Sequence, residues 1–335
     1  MSGAGLDSPA YINTMRIIMN NHPWQPSATI EILHKRAQIL AKIREFFNRR
    51  GYLEVETPVL GKFGITDVYL ANIKANFRGT PYCLQTSPEY HMKRLLAAGS
   101  GPIFQLARVF RDDELGRWHN PEFTLLEWYQ LNIDHHALMT EVNALLQDVL
   151  GCLPIIKKTY QQVFMDVCAI DPLQADIKQL QQVLQRYDLD QVLTPDETDR
   201  DQYLFLLMSH VVEPALANEP APVAVFNFPQ SQAALAQINN GVAERFEVYY
   251  RGVELANGFH ELTDVNAQRD RFEQDNKARQ LNGLPVCEPD HYLLQAMEQG
   301  LPACSGVALG IDRLLALAFN LDSIAATLSF DFARA

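Results

Sequence analysis

The stretch IFQLARVFRDDELGRWHNPEFTLLEWYQ, residues 103–130, decides the fold class. Apolar and polar residues alternate in its first nine positions and again from Glu122 to Gln130, and this period of two is that of β-strands. The residues between the two runs, DDELGRWHNP, are polar and rich in turn formers. We therefore predict an antiparallel pair of strands joined by a long loop.

Helix and strand signals precede this pair. Apolar positions at helical spacing predict a helix from Glu31 to Arg50, and a glycine follows where helices commonly end. Residues 52–58, YLEVETP, alternate and predict a strand that its final proline limits. A second helix is predicted from Pro88 to Ala98, with Ser87 as its N-cap.

The remaining segments complete the prediction of fold class. Residues 134–220 look mainly helical, with a surface loop at 194–200. Strands are predicted at VAVFNFP (223–229) and in RFEVYYRGVELAN (245–257), and GVALGIDRLLALAFN (306–320) reads as a short strand that continues into a helix. Because the strands cluster without regular βαβ alternation, we predict an α+β fold with a mixed, mainly antiparallel sheet flanked by helices.

Composition predicts a soluble cytoplasmic protein. The 335 residues include 40 acidic and 28 basic side chains, a net charge of −12 that disfavours broad binding to a phosphate backbone. No apolar run approaches a membrane span, and the first residues do not resemble a signal peptide. The five cysteines are odd in number and contain no CxxC, which favours reduced thiols over disulfides or a zinc site.

Two acidic residues in the segment 245–257 are candidates for metal binding. A two-residue turn at Arg251–Gly252 would place Tyr249 opposite Glu254, so that Glu247 and Glu254 lie diagonally on one face of a hairpin. Two neighbouring carboxylates need a positive partner, and Mg²⁺ bound to substrate phosphates prefers such oxygen ligands. The alternative is a solvated strand face. Glu261 is a third acid that could meet a cation.

Other polar residues carry weaker signals. Glu127 shares a strand face with aromatic residues and is expected to need a partner, either a structural salt bridge or a ligand. Arg111, at the end of an apolar strand, could bind a carboxylate or a phosphate. His119 and the adjacent His135 and His136 form no metal-ligand pattern, and we expect the adjacent pair to lie on the surface.

Taken in order, these pieces resemble the catalytic domain of class II aminoacyl-tRNA synthetases, most closely lysyl-tRNA synthetase. The resemblance runs from Ile32 to Ala335. The first helix and the strand ending at Pro58 are similar to motif 1, which forms the dimer interface in that family. Residues 109–129 are similar to motif 2, and GVALGIDRLLAL to motif 3. The segments HNPEFT, ELANGFHELTD and GIDR are together highly specific.

The resemblance implies an ATP site and a neighbouring site for a lysine-type substrate. The residues implied to contact ATP are Arg111, Asp112, Asp113, Asn120, Phe123, Glu254, Leu255, Gly310 and Arg313. Those implied to contact the amino-acid substrate are Ser87, Pro88, Glu89, Glu127, Tyr129, Asn257, Phe259, Glu261 and Ala308. Glu247 and Glu254 match the acids that bind Mg²⁺ in the family.

Individual roles follow from the same resemblance. Arg111 would hold the substrate carboxylate and the α-phosphate, and Phe123 would stack on adenine. Glu261, with Glu127 and Tyr129, would bind the ammonium group at the end of a lysine side chain. Glu89, in the segment SPE (87–89), would hold the amine on the backbone side of the substrate.

Motif 2 departs from the family pattern in one position. The family commonly has Arg-x-Glu, whereas this chain reads RDDE from Arg111. Asp113 occupies the glutamate position with one methylene fewer, so that either Asp113 or Glu114 could contact ATP.

The domain organisation is similar to that of stand-alone bacterial paralogues of lysyl-tRNA synthetase. Residues 1–28 are irregular and leave no room for an anticodon-binding barrel, so residues 29–335 are predicted to form one catalytic domain. Such paralogues activate (R)-β-lysine with ATP and transfer it to a lysine of elongation factor P. Ala308 replaces a glycine of lysyl-tRNA synthetases, and its methyl group would disfavour α-lysine unless the change is neutral.

The resemblance therefore implies an AMP-forming ligase that uses ATP, Mg²⁺ and (R)-β-lysine, with elongation factor P as its protein substrate. A homodimer through residues 32–58 is expected, with no membrane association and no tRNA substrate. The alternatives are a small lysyl-tRNA synthetase, an asparagine synthetase and a non-catalytic lysine-binding regulator. Glu127 and Glu261 argue against an aspartate substrate, and retention of Arg111 and Arg313 argues against a regulator.

Overall fold

The computed structural model describes residues 22–112 and 115–335. Its helices are α1 (Ile30–Asn48), α2 (Glu89–Ala97), α3 (His135–Leu150), α4 (Tyr160–Cys168), α5 (Ile177–Arg186), α6 (Arg200–Leu207), α7 (Glu213–Leu216), α8 (Val265–Leu281), α9 (His291–Gly300) and α10 (Ile311–Ala318). Its strands are β1 (Leu53–Glu54), β2 (Leu60–Gly61), β3 (Lys74–Phe77), β4 (Thr80–Leu84), β5 (Ile103–Phe110), β6 (Glu122–Leu131), β7 (Ile156–Thr159), β8 (Val223–Pro229), β9 (Ile238–Asn239), β10 (Val242–Tyr250), β11 (Val253–His260) and β12 (Cys304–Gly310).

A mixed sheet forms the centre of the fold, in the order β1-β5-β6-β12-β11-β10-β8-β7, with β9 paired to β10. The two edge pairs, β1 with β5 and β7 with β8, are parallel, and the pairs between them are antiparallel. Strands β2, β4 and β3 form a small separate sheet. The predicted α+β class with a mainly antiparallel sheet is confirmed.

Helices α1, α3 and α10 cover one face of the central sheet. Phe47 of α1 stacks on Phe104 at 4.6 Å between ring centres and meets Trp128 edge-on at 5.2 Å. Leu126 and Trp128 lie in this core, together with Phe246 of β10. Because side chains alternate along a strand, the neighbouring residues of β6 must face the other side of the sheet. That side carries the cavity described below.

Most predicted elements are present, with local differences. The strand predicted at 52–58 is shorter than expected and forms only at Leu53–Glu54. The N–H of Val55 still donates to the Phe104 carbonyl, and beyond this residue the chain leaves the sheet. Within the mainly helical segment 134–220, the short strand Ile156–Thr159 was not predicted, since four residues give too little periodicity. The loop at 194–199 leads into α6.

The predicted hairpin forms with one irregularity. Tyr250 pairs with Val253 and Tyr249 with Glu254 across the turn, as predicted. The register then shifts, because Val248 pairs with Ala256 and Leu255 is left as an extra residue, a β-bulge.

One prediction of exposure is wrong. His136 is exposed, but His135 is only 4% exposed. Asp134 caps α3, and His135, the first residue of this helix, points into the protein and contacts Asn227. All five cysteines are free, as expected. Among the described residues, no helix has both the length and the apolar character needed to cross a bilayer.

Candidate active site

A cavity of about 600 Å³ opens on the sheet face away from α1 and α3. This volume is within the range of small-ligand sites. Sixteen of the predicted site residues line it, namely Ser87, Glu89, Arg111, Asn120, Phe123, Glu127, Tyr129, Glu247, Glu254, Leu255, Asn257, Phe259, Glu261, Ala308, Gly310 and Arg313. The structure therefore brings together residues that are far apart in sequence.

Strand periodicity explains this convergence. On β6, Phe123, Leu125, Glu127 and Tyr129 face the cavity, whereas Leu126 and Trp128, which alternate with them, lie in the core. Strand β12 pairs with both β6 and β11, with Ala308 opposite Glu127 on one side and Asn257 on the other. Three adjacent central strands thus contribute side chains to one surface.

Two predicted site residues do not line the cavity, and a third lies outside the described residues. Pro88 and Asp112 do not line the cavity, and the Asp112 N–H donates to the Ala71 carbonyl at 3.2 Å. Asp113 and Glu114 lie outside the described residues, so the assignment of the motif 2 acid stays a prediction.

One end of the cavity contains three carboxylates, Glu89, Glu127 and Glu261, which we call the carboxylate cluster. The ammonium of Lys93 is almost fully buried and lies 2.6 Å from one oxygen of Glu89 and 2.6 Å from one oxygen of Glu261. Lys93 was missed in the sequence, where its position inside α2 suggested no special role. It partly neutralises the cluster.

Electrostatics in the cluster favour a further cation. Burial raises the pKa of Glu127, and repulsion from Glu89 adds to this effect. Burial also raises the pKa of Glu261, although Lys93 opposes the shift. Burial lowers the pKa of Lys93, but attraction to Glu261 and Glu89 outweighs it and the net change is upward. Three acids against one ammonium leave the cluster with unbalanced negative charge.

Glu127 is oriented by hydroxyl groups. The Ser87 hydroxyl donates to one carboxylate oxygen at 2.7 Å and the Tyr129 hydroxyl to the other at 2.7 Å. Ser87 also accepts the Glu89 N–H at 3.0 Å, close to its predicted capping role. The partners that Glu127 was expected to need are therefore mainly hydroxyls.

Gly306 on β12 makes room for this cluster. A β-carbon at this position would lie 2.2 Å from a ring carbon of Tyr129 and 2.6 Å from an oxygen of Glu261. Any larger residue would have to displace one of these groups. Gly306 was not among the predicted site residues, because the pairing of its strand with β6, which puts it opposite Tyr129, was not predicted from the sequence.

The two predicted metal-binding acids differ in their surroundings. Glu247 accepts hydrogen bonds from Arg245 at 2.5 Å, from Asn257 at 3.3 Å and from the Tyr249 hydroxyl. Glu254 keeps 38% of its side-chain surface exposed, with Arg313 at 3.5 Å.

Local charge around Glu254 fits a divalent cation. Desolvation in the cavity wall and repulsion from Glu247 raise the pKa of Glu254, while Arg313 opposes the shift. A partly exposed carboxylate is a suitable ligand for a hard cation such as Mg²⁺. The residues present therefore fit the predicted metal, with Glu254 as the more accessible ligand.

Glu213, the first residue of α7, is a third acid near this pair. Burial and the charges of Glu254 and Glu247 together raise its pKa to about 7, although Arg313 opposes the shift. Sequence reasoning missed it, because the segment 134–220 gave only a helical signal.

The arginines lie where an anionic ligand could reach them. The guanidinium of Arg111 lies 5.1 Å from the centre of the Phe123 ring. Arg313 donates to the carbonyls of Trp118 at 3.2 Å and Glu254 at 2.9 Å, and contacts His119 at 2.8 Å. Arg313 is thus held between motif 2 and the hairpin.

Asn120 and Gly310 have different environments. The Asn120 amide donates to the Glu122 carbonyl at 2.6 Å and accepts the Phe332 N–H at 3.1 Å, so it links the loop to the carboxyl-terminal segment. A β-carbon on Gly310 would make only ordinary contacts with Arg313, which leaves space beside its backbone. Nucleotide contact by either residue stays a prediction.

Comparison with known proteins gives consistent matches. Residues 23–333 match the family described as tRNA synthetases class II (D, K and N). The chain is 53% identical to an elongation factor P–(R)-β-lysine ligase from Pasteurella multocida over 321 residues, which cover 93% of this chain and 98% of the relative. A protein of the same name from Salmonella gallinarum is 52% identical over the same shares of both chains.

Proposed function

The chain belongs to the tRNA synthetases of class II (D, K and N), and from that premise we propose that it is an ATP-dependent ligase for elongation factor P. It activates (R)-β-lysine as an acyl-adenylate and transfers the β-lysyl group to a lysine side chain of that factor. The two relatives named for this activity align with this chain over 98% of their own length, which supports the proposal.

The carboxylate cluster is the observation that carries the choice of substrate. When all four groups are ionised, the three acids and one lysine carry a net charge of −2. A diamino acid supplies two ammonium groups, whereas aspartate would add a further carboxylate to the same region. Burying unpaired carboxylates is costly, so the cluster favours a doubly aminated substrate.

The reaction requires no protein nucleophile. The carboxylate of β-lysine attacks the α-phosphorus of ATP, pyrophosphate leaves, and the acyl-adenylate forms. The lysine amine of elongation factor P then attacks the acyl carbon, and AMP leaves. Arg111 and Arg313 line the cavity and would offset the charge of the phosphates. Mg²⁺, held by Glu254 and Glu247, would supply further charge neutralisation.

ATP–pyrophosphate exchange tests this proposal directly. The substrates to compare are (R)-β-lysine, α-lysine and aspartate, followed by transfer to elongation factor P or to tRNA(Lys). We expect exchange to favour (R)-β-lysine, with label only on the protein. Charging of tRNA with α-lysine would instead identify a small synthetase, and no exchange with any substrate would identify a non-catalytic regulator.

Ala308 is proposed to set the preference between the two lysine isomers. It lines the cavity and lies opposite Glu127 on β6. Its methyl group occupies space next to the predicted position of the substrate amine, and one methyl is worth about 1–3 kcal/mol of discrimination. Ala308→Gly is therefore expected to shift the ratio of kcat/KM toward α-lysine by about 10-fold. The same exchange assay measures this ratio, and an unchanged ratio would remove the assignment.

We also propose that the protein is a homodimer that works in the cytoplasm. Ile30, Leu53, Val59 and Leu60 are exposed apolar residues in or next to the predicted interface. Several large apolar side chains exposed within one predicted interface support a protein contact there. Five free cysteines fit a reducing compartment, and the acidic balance of charge makes tRNA an unsuitable partner.

The dimer proposal leads to a mutational prediction. Leu53, which is 54% exposed on the edge strand β1, would become buried in the interface. Leu53→Asp places a charge there and is expected to raise the dimer dissociation constant by about 10-fold or more. Sedimentation velocity over a range of concentrations measures it, with the exposed Leu153→Asp as a control. A dimer of unchanged stability would exclude this interface.

A further inference from the structure

His135, Glu244 and His260 lie together on the sheet face opposite the cavity. His260 ends β11, Glu244 is its neighbour on β10, and His135 begins α3. One ligand-type atom from each residue lies within 4.8 Å of the other two. Strand alternation separates this group from the cavity, because Phe246 and Val248, which share its face of β10, belong to the core beneath α3.

His135 has an unsatisfied nitrogen. Its side chain is buried, Nε2 lies 3.3 Å from the Asn227 side-chain oxygen, and Nδ1 has no hydrogen-bond partner among the described residues. Buried polar atoms in native proteins are usually paired, so an unpaired imidazole nitrogen needs an explanation. Burial and the adjacent His136 lower the pKa of His135 to about 4, which keeps the ring in the neutral form that binds metals.

Glu244 is ready to act as a ligand as well. Burial alone would raise its pKa, but hydrogen bonds from His260 and Asn239 outweigh this and the net shift is downward. Glu244 contacts His260 directly, and the Asn239 amide donates to its other oxygen at 3.2 Å. Asn227 contacts His135 and Asn239 contacts Glu244, so each amide orients its partner, as the hydrogen-bond partners of metal ligands commonly do.

We propose that His135, Glu244 and His260 form a binding site for a divalent transition-metal ion of the zinc class. Two imidazoles and one carboxylate are a donor set that zinc prefers, with a fourth position left for water. Ligand atoms on a tetrahedral zinc ion lie roughly 3.4 Å apart, given bonds of about 2.1 Å. The His135 nitrogen would therefore approach by a movement on the order of 1 Å, and the hydrogen bond between His260 and Glu244 would be replaced by bonds to the ion.

The ion would connect the start of α3 to the hairpin of β10 and β11. His260 lies between Phe259 and Glu261, both of which line the cavity from the other face. Binding would therefore restrain the strand that carries the substrate contacts. The site is separate from Glu247 and Glu254, which face the cavity and are suited to a harder cation.

Titration of the metal-free full-length protein with Zn²⁺ tests this inference. Excess Mg²⁺ in the buffer occupies the acids of the cavity, and isothermal titration calorimetry measures stoichiometry and affinity. We expect one equivalent to bind, with His135→Asn and Glu244→Gln each weakening binding by at least about 10-fold. His291→Asn, which changes an exposed histidine at the equivalent position of another helix, the first residue of α9, is the matched control and is expected to bind like the unmodified protein.

A second measurement identifies the ligands. Bound Co²⁺ is expected to give visible d–d bands without a thiolate charge-transfer band, and Zn²⁺ is expected to raise the Tm of the unmodified protein but not that of Glu244→Gln. Circular dichroism confirms that each variant is folded. The proposal would be overturned by any of three results. These are the absence of stoichiometric binding, equal affinity in the site variants, and a thiolate band that assigns the metal to cysteines.

Discussion

Replacing Glu254 by glutamine is expected to reduce ATP–pyrophosphate exchange by about 1,000-fold. The amide keeps the shape of the side chain but removes the charge that would hold Mg²⁺ against the phosphates. Glu247 can compensate only in part, because its oxygens already accept hydrogen bonds from Arg245, Asn257 and the Tyr249 hydroxyl. Losing one preorganised electrostatic contribution to a phosphoryl or acyl transfer typically costs a factor of about 100 to 1,000.

The experiment separates metal binding from damage to the fold. Exchange is measured over a range of Mg²⁺ concentrations, and partial recovery at high Mg²⁺ is expected because the remaining acid still attracts the ion. Glu273→Gln, the same change at an exposed position of α8, serves as the control. Binding of (R)-β-lysine in the absence of ATP should be unaffected. Full exchange activity in Glu254→Gln would remove the metal assignment.

Local periodicity explains which parts of the site could be predicted. Alternation along β6 placed Glu127 and Tyr129 on one face, and the turn at Arg251–Gly252 determined that Tyr249 pairs with Glu254. These features depend on residues that are close in sequence. The chemical roles of the same residues came instead from the resemblance to class II synthetases, since alternation cannot distinguish a ligand contact from a solvated strand face.

Long-range packing explains what the sequence did not reveal. Lys93 looks like an ordinary helical lysine, and only the fold brings Glu261 of the distant hairpin within 2.6 Å of it. The bulge at Leu255 could not be predicted, because it depends on how β11 pairs with its neighbouring strands. His135 was wrongly expected on the surface because two adjacent histidines rarely point to one site, whereas its actual partners come from the distant strands β8 and β10.

Glu261→Gln is expected to raise the KM for (R)-β-lysine by about 100-fold while changing the KM for ATP by less than about 3-fold. Glu261 is buried beside Lys93, and removing one member of a buried ionic group costs about 3 kcal/mol or more, which corresponds to about 100-fold or more in affinity. ATP is proposed to bind at the other end of the cavity, near Arg313. The effect should therefore be specific to the diamino substrate.

Lys93 makes a structural control necessary. In Glu261→Gln the Lys93 ammonium keeps only one of its two ion-pair partners, Glu89. The variant is therefore expected to melt at a lower temperature than the unmodified protein. Measuring exchange well below that temperature separates stability from substrate binding. The double variant Lys93→Met with Glu261→Gln removes the poorly paired ammonium and should recover stability without recovering the KM. If stability and the KM for (R)-β-lysine recovered together, Glu261 would act by positioning Lys93 and not by binding the substrate amine.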